Sequence, residues 1–164
     1  MQITCFRLMI YSFCGWLLEG AYQFITQGTF LKPNFLFGPF KPMYGIASVL
    51  LLAVKSLGKG SFFLCSAAIP LGVEYISGLW LKNAFGLKYW DYSEHRFNLQ
   101  GLICLDFAVA WILLAYVFVY FLQPKLAQGL DLEQKGGNKF FWLCWALFVS
   151  DVVCTLIKRR GGMA

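Results

Sequence analysis

Apolar residues run along this chain in five long stretches separated by short polar linkers. The stretches fall at Phe6 to Ile25, Met43 to Leu57, Phe62 to Leu81, Leu102 to Leu122 and Phe140 to Ile157. Four of them are near the ~17 to 25 residues that carry a helix across a bilayer. The second is shorter, so its first turn is expected within Gly38-Pro39-Phe40-Lys41-Pro42, or its axis lies obliquely. No linker of low hydrophobicity interrupts the series, so residues 1–164 read as a single integral membrane domain. The expected fold is all-α, a polytopic transmembrane helix bundle of about five spans. Arg7 precedes an apolar run that continues past Glu19 without an Ala-x-Ala-like site, so a retained helix is expected here rather than a cleaved signal.

The polar exceptions inside these stretches are few and patterned. A charge at the centre of a membrane costs roughly 2.5 to 3.5 kcal/mol on insertion scales, so each intramembrane acid is a candidate site residue. Four stretches each carry one: Glu19, Glu74, Asp106 and Asp151. Counted from the ends that share one membrane face, and at ~1.5 Å per residue, all four lie roughly 6 to 11 Å below the same surface. Three of them also sit on polar or small stripes at helical spacing: Ser12, Gly15, Glu19 and Gln23; Ser66, Pro70, Glu74 and Ser77; Cys144, Leu147, Asp151 and Thr155. Small and polar residues gather where membrane helices meet, so these stripes are expected to face the bundle interior. Pro70 and Gly72 are placed to bend the third helix just before Glu74. A single such acid is ordinarily hydrogen-bonded helix glue, whereas four at one depth point to a shared polar cavity.

Two linkers on that face are unusually aromatic. Gln27 to Tyr44 holds three of the five prolines and Gly38, Pro39, Pro42 and Tyr44, just ahead of Gly45. Lys82 to Gln100 holds Tyr89-Trp90-Asp91-Tyr92 and His95-Arg96-Phe97-Asn98, just ahead of Gly101. Tryptophan and tyrosine settle at the headgroup level, so both linkers are expected to be ordered interfacial caps rather than flexible loops. An aromatic anchor belt without a ligand would give the same pattern.

Composition agrees with a membrane setting: 59% hydrophobic and 13% charged residues leave too little polar surface for a soluble domain, where ~25% charge is usual. The 14 Lys and Arg outnumber 8 Asp and Glu, but they are scattered between apolar runs, which argues against nucleic-acid binding. Only Lys158, Arg159 and Arg160 cluster, directly after the last apolar stretch, where cations meet lipid headgroups. With five spans the face bearing the two aromatic linkers carries eight cations and the other six, which leans toward the N-terminus outside and the C-terminus cytoplasmic. The six cysteines, Cys5, Cys14, Cys65, Cys104, Cys144 and Cys154, form no Cys-x-x-Cys pair. Neither a zinc framework nor another metal or cofactor is expected from their spacing.

Several of these words occur together in one family. Tyr11-Ser12 with Gly15-Trp16 and Glu19, Phe35-Leu36 with Gly38-Pro39-Phe40, Pro42 and Tyr44-Gly45, and Glu74-Tyr75 with Gly78 form the first part of the match. Trp90-Asp91-Tyr92-Ser93, Phe97-Asn98, Gly101 and Ile103-Cys104-Leu105 complete it. In these the chain resembles the ABC-transporter permeases of type IV, small polytopic proteins of the bacterial inner membrane. The resemblance implies a transport role at that membrane. Gly58-Lys59-Gly60-Ser61 lacks the spacing of a phosphate-binding loop, so an ATPase would be a separate partner. Pro33 and Leu102 stand where the family carries arginine, and Lys82 where it carries glutamate, which implies a rearranged ion-pair network; Asp106 is an addition. Three functions fit the sequence: a permease component with an acidic intramembrane cavity, a membrane-embedded enzyme acting on a lipid or isoprenoid, and an accessory or scaffold subunit. For the enzyme, Asp91, His95, Glu19 and Glu74 would have to supply acid and base. The absence of a known catalytic motif weighs against it.

Overall fold

The computed structural model describes residues 2–129 and 139–161. Of the cations counted above, Lys135 lies outside them. The described chain is almost entirely helical: α1 (Gln2–Gln27), α2 (Pro42–Val54), α3 (Lys59–Phe85), α4 (Leu105–Val117), α5 (Gln123–Gly129) and α6 (Lys139–Gly161), with a small antiparallel pair β1 (Asn98–Leu99) and β2 (Ile103–Cys104) before α4. A π-helical turn, Phe118–Leu122, joins α4 to α5 without a break. Proline at position 124 has no N–H to give and its ring crowds the carbonyl four residues back, so a wider turn at this point relieves the clash. The described helices therefore form five rods, and this is a helical membrane protein.

Three rods, Lys59–Phe85, Leu105–Gln128 and Phe141–Gly161, are each long and apolar enough to cross a membrane. The 26 residues of α1 have the length, but Arg7, Glu19 and the glutamines dilute its apolarity. The 13 residues of α2 reach only ~20 Å, well short of a ~30 Å hydrocarbon core. It starts at Pro42, where a missing N–H costs a helix nothing, and it ends at Val54 rather than at Leu57. The third rod is longer at both ends than the expected Phe62 to Leu81. Gly58-Lys59-Gly60-Ser61 is simply its beginning, with Gly58 as the N-cap. The fourth begins at Leu105, not at Leu102, because Leu102, Ile103 and Cys104 are drawn into the hairpin.

The described residues within Met1–Gly45 and Leu132–Ala164 group into one compact unit, and those within Ile46–Asp131 into another. In the first, α1 packs against α6 around Met9, Leu36 and Phe148. In the second, α3 packs against α4 around Leu51, Phe62, Ala115 and Val119. The buried positions of α3 are Phe62, Ser66, Pro70, Glu74, Gly78, Leu81 and Phe85. The expected stripe is thus real, but Gly78 continues it in place of Ser77. On α6, Phe148 and Thr155 are buried while Leu147 is 60% exposed, so Leu147 does not belong to the inward stripe.

Candidate functional site

In the first unit the linker after α1 is a folded cap. Pro39 sits at the centre of a tight turn closed by the Phe40 N–H donating to the Gly38 carbonyl at 2.9 Å. Asn34 Nδ2 donates across that turn to the carbonyls of Gly38 and Phe40 at 3.0 and 2.9 Å. Asp151 of α6 secures the same turn. Its two carboxylate oxygens accept the Phe37 and Gly38 N–H groups at 3.1 and 3.0 Å. A Cβ on Gly38 would come within 2.7 Å of Asp151 Oδ2, so only glycine lets the carboxylate approach. Arg159 donates to the Phe35 and Asn34 carbonyls and lies over the Phe35 ring, and Lys158 lies over Phe37. Asp151 is therefore occupied with backbone donors and Thr155.

Glu19 serves a different set. Its carboxylate accepts Lys41 Nζ at 2.7 Å and Lys32 Nζ at 3.0 Å, with the Tyr44 hydroxyl at 3.5 Å. All three donors come from the cap or the first turn of α2, so Glu19 fastens the cap to α1 as Asp151 fastens it to α6. The Lys41 N–H donates to the Ser12 carbonyl at 2.9 Å. The Tyr44 ring lies against Gly15, and Gly45 against Leu8 and Ser12. Burial pushes the Lys41 ammonium below its ordinary value, and the Glu19 carboxylate beside it opposes that shift.

In the second unit Glu74 is 3% exposed. One carboxylate oxygen accepts the Tyr92 hydroxyl at 3.0 Å and the other the Trp111 Nε1–H at 2.9 Å. Helix α3 supplies the acid, α4 one donor, and the loop between them the other. That loop is held by its own side chains. Trp90 Nε1 donates to the Leu102 carbonyl at 2.9 Å. Leu102, 1% exposed, and the Trp90 ring both lie over Gly78. Leu102 thus fills the apolar space over Gly78 beside Trp90. Asn98 Nδ2 donates to the Ser93 and His95 carbonyls while its oxygen accepts the Gly101 N–H. Gln100 and Gly101 have φ of 55° and 68°, and the Leu102 N–H closes on the Leu99 carbonyl at 3.0 Å. Two successive left-handed residues make the hairpin turn that suits the strand twist. Asp91 and Ser93 pack so closely on Gly101 that a Cβ there would lie 2.5 Å from Ser93 Oγ.

Asp91 accepts Lys88 Nζ at 2.7 Å and both the N–H and the hydroxyl of Ser93, at 2.9 and 2.6 Å. These donors, Lys88 foremost, hold its carboxyl well below the usual carboxylate range. A depressed carboxyl stabilises the loop above its unfolded value of 3.8, and that contribution is lost as pH falls further. The Ser93 and Gly101 amide resonances are accordingly expected to hold still from neutral pH through about 4, where an ordinary aspartate already titrates, and to shift only in more strongly acid solution. Asp91→Asn should remove that acid transition; a transition that survives it would assign the effect elsewhere.

The fourth acid, Asp106, has a side chain 68% exposed and lies 3.1 Å from Nδ1 of His95, itself 42% exposed. The predicted acids thus have separate partners, Glu19 and Asp151 in the first unit and Glu74 and Asp106 in the second. Two groupings escaped the sequence reading. One is the pair of backbone donors on Asp151, because glycine and phenylalanine carry no polar signal. The other is the approach of Cys104 to His95 and Asp106, their ligating atoms all within 4.8 Å of one another, which depends on the hairpin.

A family model described as Putative ABC-transporter type IV matches residues 6–156. No curated protein and no solved structure matches the chain.

Proposed function

From the premise that this chain belongs to the Putative ABC-transporter type IV family, we propose that it is the membrane-embedded permease component of a transporter whose ATPase is a separate protein. The observation that carries this reading is Glu74, a carboxyl 3% exposed on a helix long and apolar enough to span a membrane. Intramembrane acids are costly and are retained where an ion, a proton or a basic solute must be met. Glu74 also has a route to the surface, since its partner Tyr92 belongs to the loop that carries Trp90 and Asp91. A solute or subunit that moves this loop would change the donors on the buried carboxyl. The basic end of α6, Lys158 to Arg160, supports a cytoplasmic C-terminus at the inner membrane.

The test is purification of the full chain from its own membranes, followed by reconstitution of the purified material in lipid vesicles. An ATPase subunit is expected to accompany the chain, with hydrolysis that falls in Glu74→Gln while the association persists. Purification of the chain without any ATPase, or hydrolysis indifferent to Glu74→Gln, would overturn the proposal.

A further inference from the structure

We propose that His95, Cys104 and Asp106 form a binding site for a divalent transition metal of the zinc type, at the junction of the loop and α4. The proposal is independent of any transport role.

The donor set is the first argument. An imidazole nitrogen, a thiol sulfur and a carboxylate oxygen together suit zinc or its neighbours, whereas magnesium and calcium take oxygen alone. The geometry is the second. With metal–nitrogen and metal–oxygen bonds of ~2.0 to 2.2 Å, a tetrahedral site needs about 3.3 to 3.5 Å between those two ligands. His95 Nδ1 and Asp106 Oδ2 stand 3.1 Å apart, already close to that edge. The Cys104 sulfur, one His95 ring nitrogen and one Asp106 carboxylate oxygen all lie within 4.8 Å of one another, so the sulfur needs to close by at most about 1.2 Å to reach the ~3.6 Å that a ~2.3 Å metal–sulfur bond requires.

Preorganisation is the third argument. Cys104 pairs with Asn98 across the hairpin and caps α4, which places Asp106 in the first turn of the same helix. His95 is held through its backbone, its N–H donating to the Tyr92 carbonyl at 2.9 Å and its carbonyl accepting Asn98 Nδ2 at 2.9 Å. Its ring stands edge-on to Tyr92 and Phe107, each with centroids 5.8 Å away. Cys104 is 3% exposed while the His95 and Asp106 side chains are open to solvent. The sulfur thus forms the floor of the site, and a fourth position faces water, as in an open zinc site.

Binding forms bonds from the metal to the Cys104 sulfur, a His95 ring nitrogen and an Asp106 carboxylate oxygen. The ring stays a neutral imidazole with its proton on the other nitrogen, so that where Nδ1 is the ligand the proton it shares with Asp106 leaves it, and the thiol proton goes to solvent with no change of redox state. Binding also fastens the loop to α4 three residues from Tyr92, the hydroxyl that donates to Glu74. Without a metal, the His95–Asp106 pair is an exposed contact that contributes little to stability.

Cobalt(II) is the probe, added to the metal-stripped full chain in detergent without a polyhistidine tag. The wild type is expected to develop a thiolate-to-cobalt charge-transfer band with intense tetrahedral ligand-field bands, all displaced by zinc. Cys104→Ser should abolish the charge-transfer band. His95→Gln and Asp106→Asn, both at exposed side chains, should each weaken cobalt binding by about tenfold or more. Should Cys104→Ser fail to fold, those two variants decide the matter. The proposal is overturned if the wild type shows no thiolate band, if the band persists in Cys104→Ser, or if His95→Gln and Asp106→Asn bind cobalt as the wild type does.

Discussion

Glu74→Leu is expected to lower the stability of the folded protein by about 2 to 5 kcal/mol, because it strands two donors rather than one. The Tyr92 hydroxyl and the Trp111 indole N–H both end on this carboxylate, which is itself 3% exposed. Each buried donor left without an acceptor costs about 1 to 3 kcal/mol. Glu74→Gln keeps one acceptor oxygen and turns an amide NH2 toward the other donor, so a loss of about 1 to 3 kcal/mol is expected. Adding Tyr92→Phe or Trp111→Phe removes a facing donor, and the double variant that removes the donor facing the amide should recover part of the loss. Thermal unfolding in detergent reads the series, with about 2 to 4 °C for each kcal/mol in a chain of this size. The two variants also separate structure from function. Gln preserves the shape of a neutral carboxyl but cannot ionise, so loss of ATPase coupling with a folded protein assigns the ionisation to function. A leucine variant as stable as the wild type would reduce Glu74 to packing.

How much of this arrangement is visible in the sequence depends on whether a contact leaves a periodic mark. Ser66, Pro70 and Glu74 recur every four residues, and that strict step is the buried line of α3. Ser77 attracts attention because it is polar, yet the step of four leads to Gly78, where Trp90 and Leu102 need the missing side chain. On α6 the same bias toward small and polar residues passes over Phe148, which is 4% exposed and fills the core beside Met9 and Leu36. Leu102-Ile103-Cys104 is apolar enough to extend the helix, and short apolar runs fit a strand equally well. The backbone at Gln100 and Gly101 decides for the hairpin. The aromatic richness of the two linkers does announce order, but not its causes. Asp151 finds its donors in the backbone of residues 114 and 113 positions away, and Glu19 finds lysines that the sequence marks only as cations of one membrane face.

Glu19→Leu is the second substitution with a large expected cost, and the reason is the charge it leaves behind. Lys41 Nζ and Lys32 Nζ converge on one Glu19 oxygen, with side-chain exposures of 11% and 29% beside 18% for the acid. Without Glu19, Lys41 keeps its burial and loses the counter-charge that opposes it. Removing one partner of a buried pair typically costs 3 to 5 kcal/mol; the residual exposure here, with Lys32 free to swing into solvent, brings the expected loss to about 2 to 4 kcal/mol. Glu19→Leu combined with Lys41→Met removes the stranded ammonium along with the acid. Replacing a buried ion pair by apolar residues of similar size is often neutral, so the double variant should regain most of the melting temperature lost by Glu19→Leu alone. Lys41→Met alone leaves Glu19 with Lys32 and should cost less than Glu19→Leu. A cysteine at Phe37 gives a second readout, because the cap is tied to α1 through these lysines. Its labelling by a water-soluble maleimide should quicken in Glu19→Leu and slow again in the double variant. If the two substitutions simply add in stability and in labelling, Glu19 and Lys41 contribute separately, and the ion pair does not hold the cap.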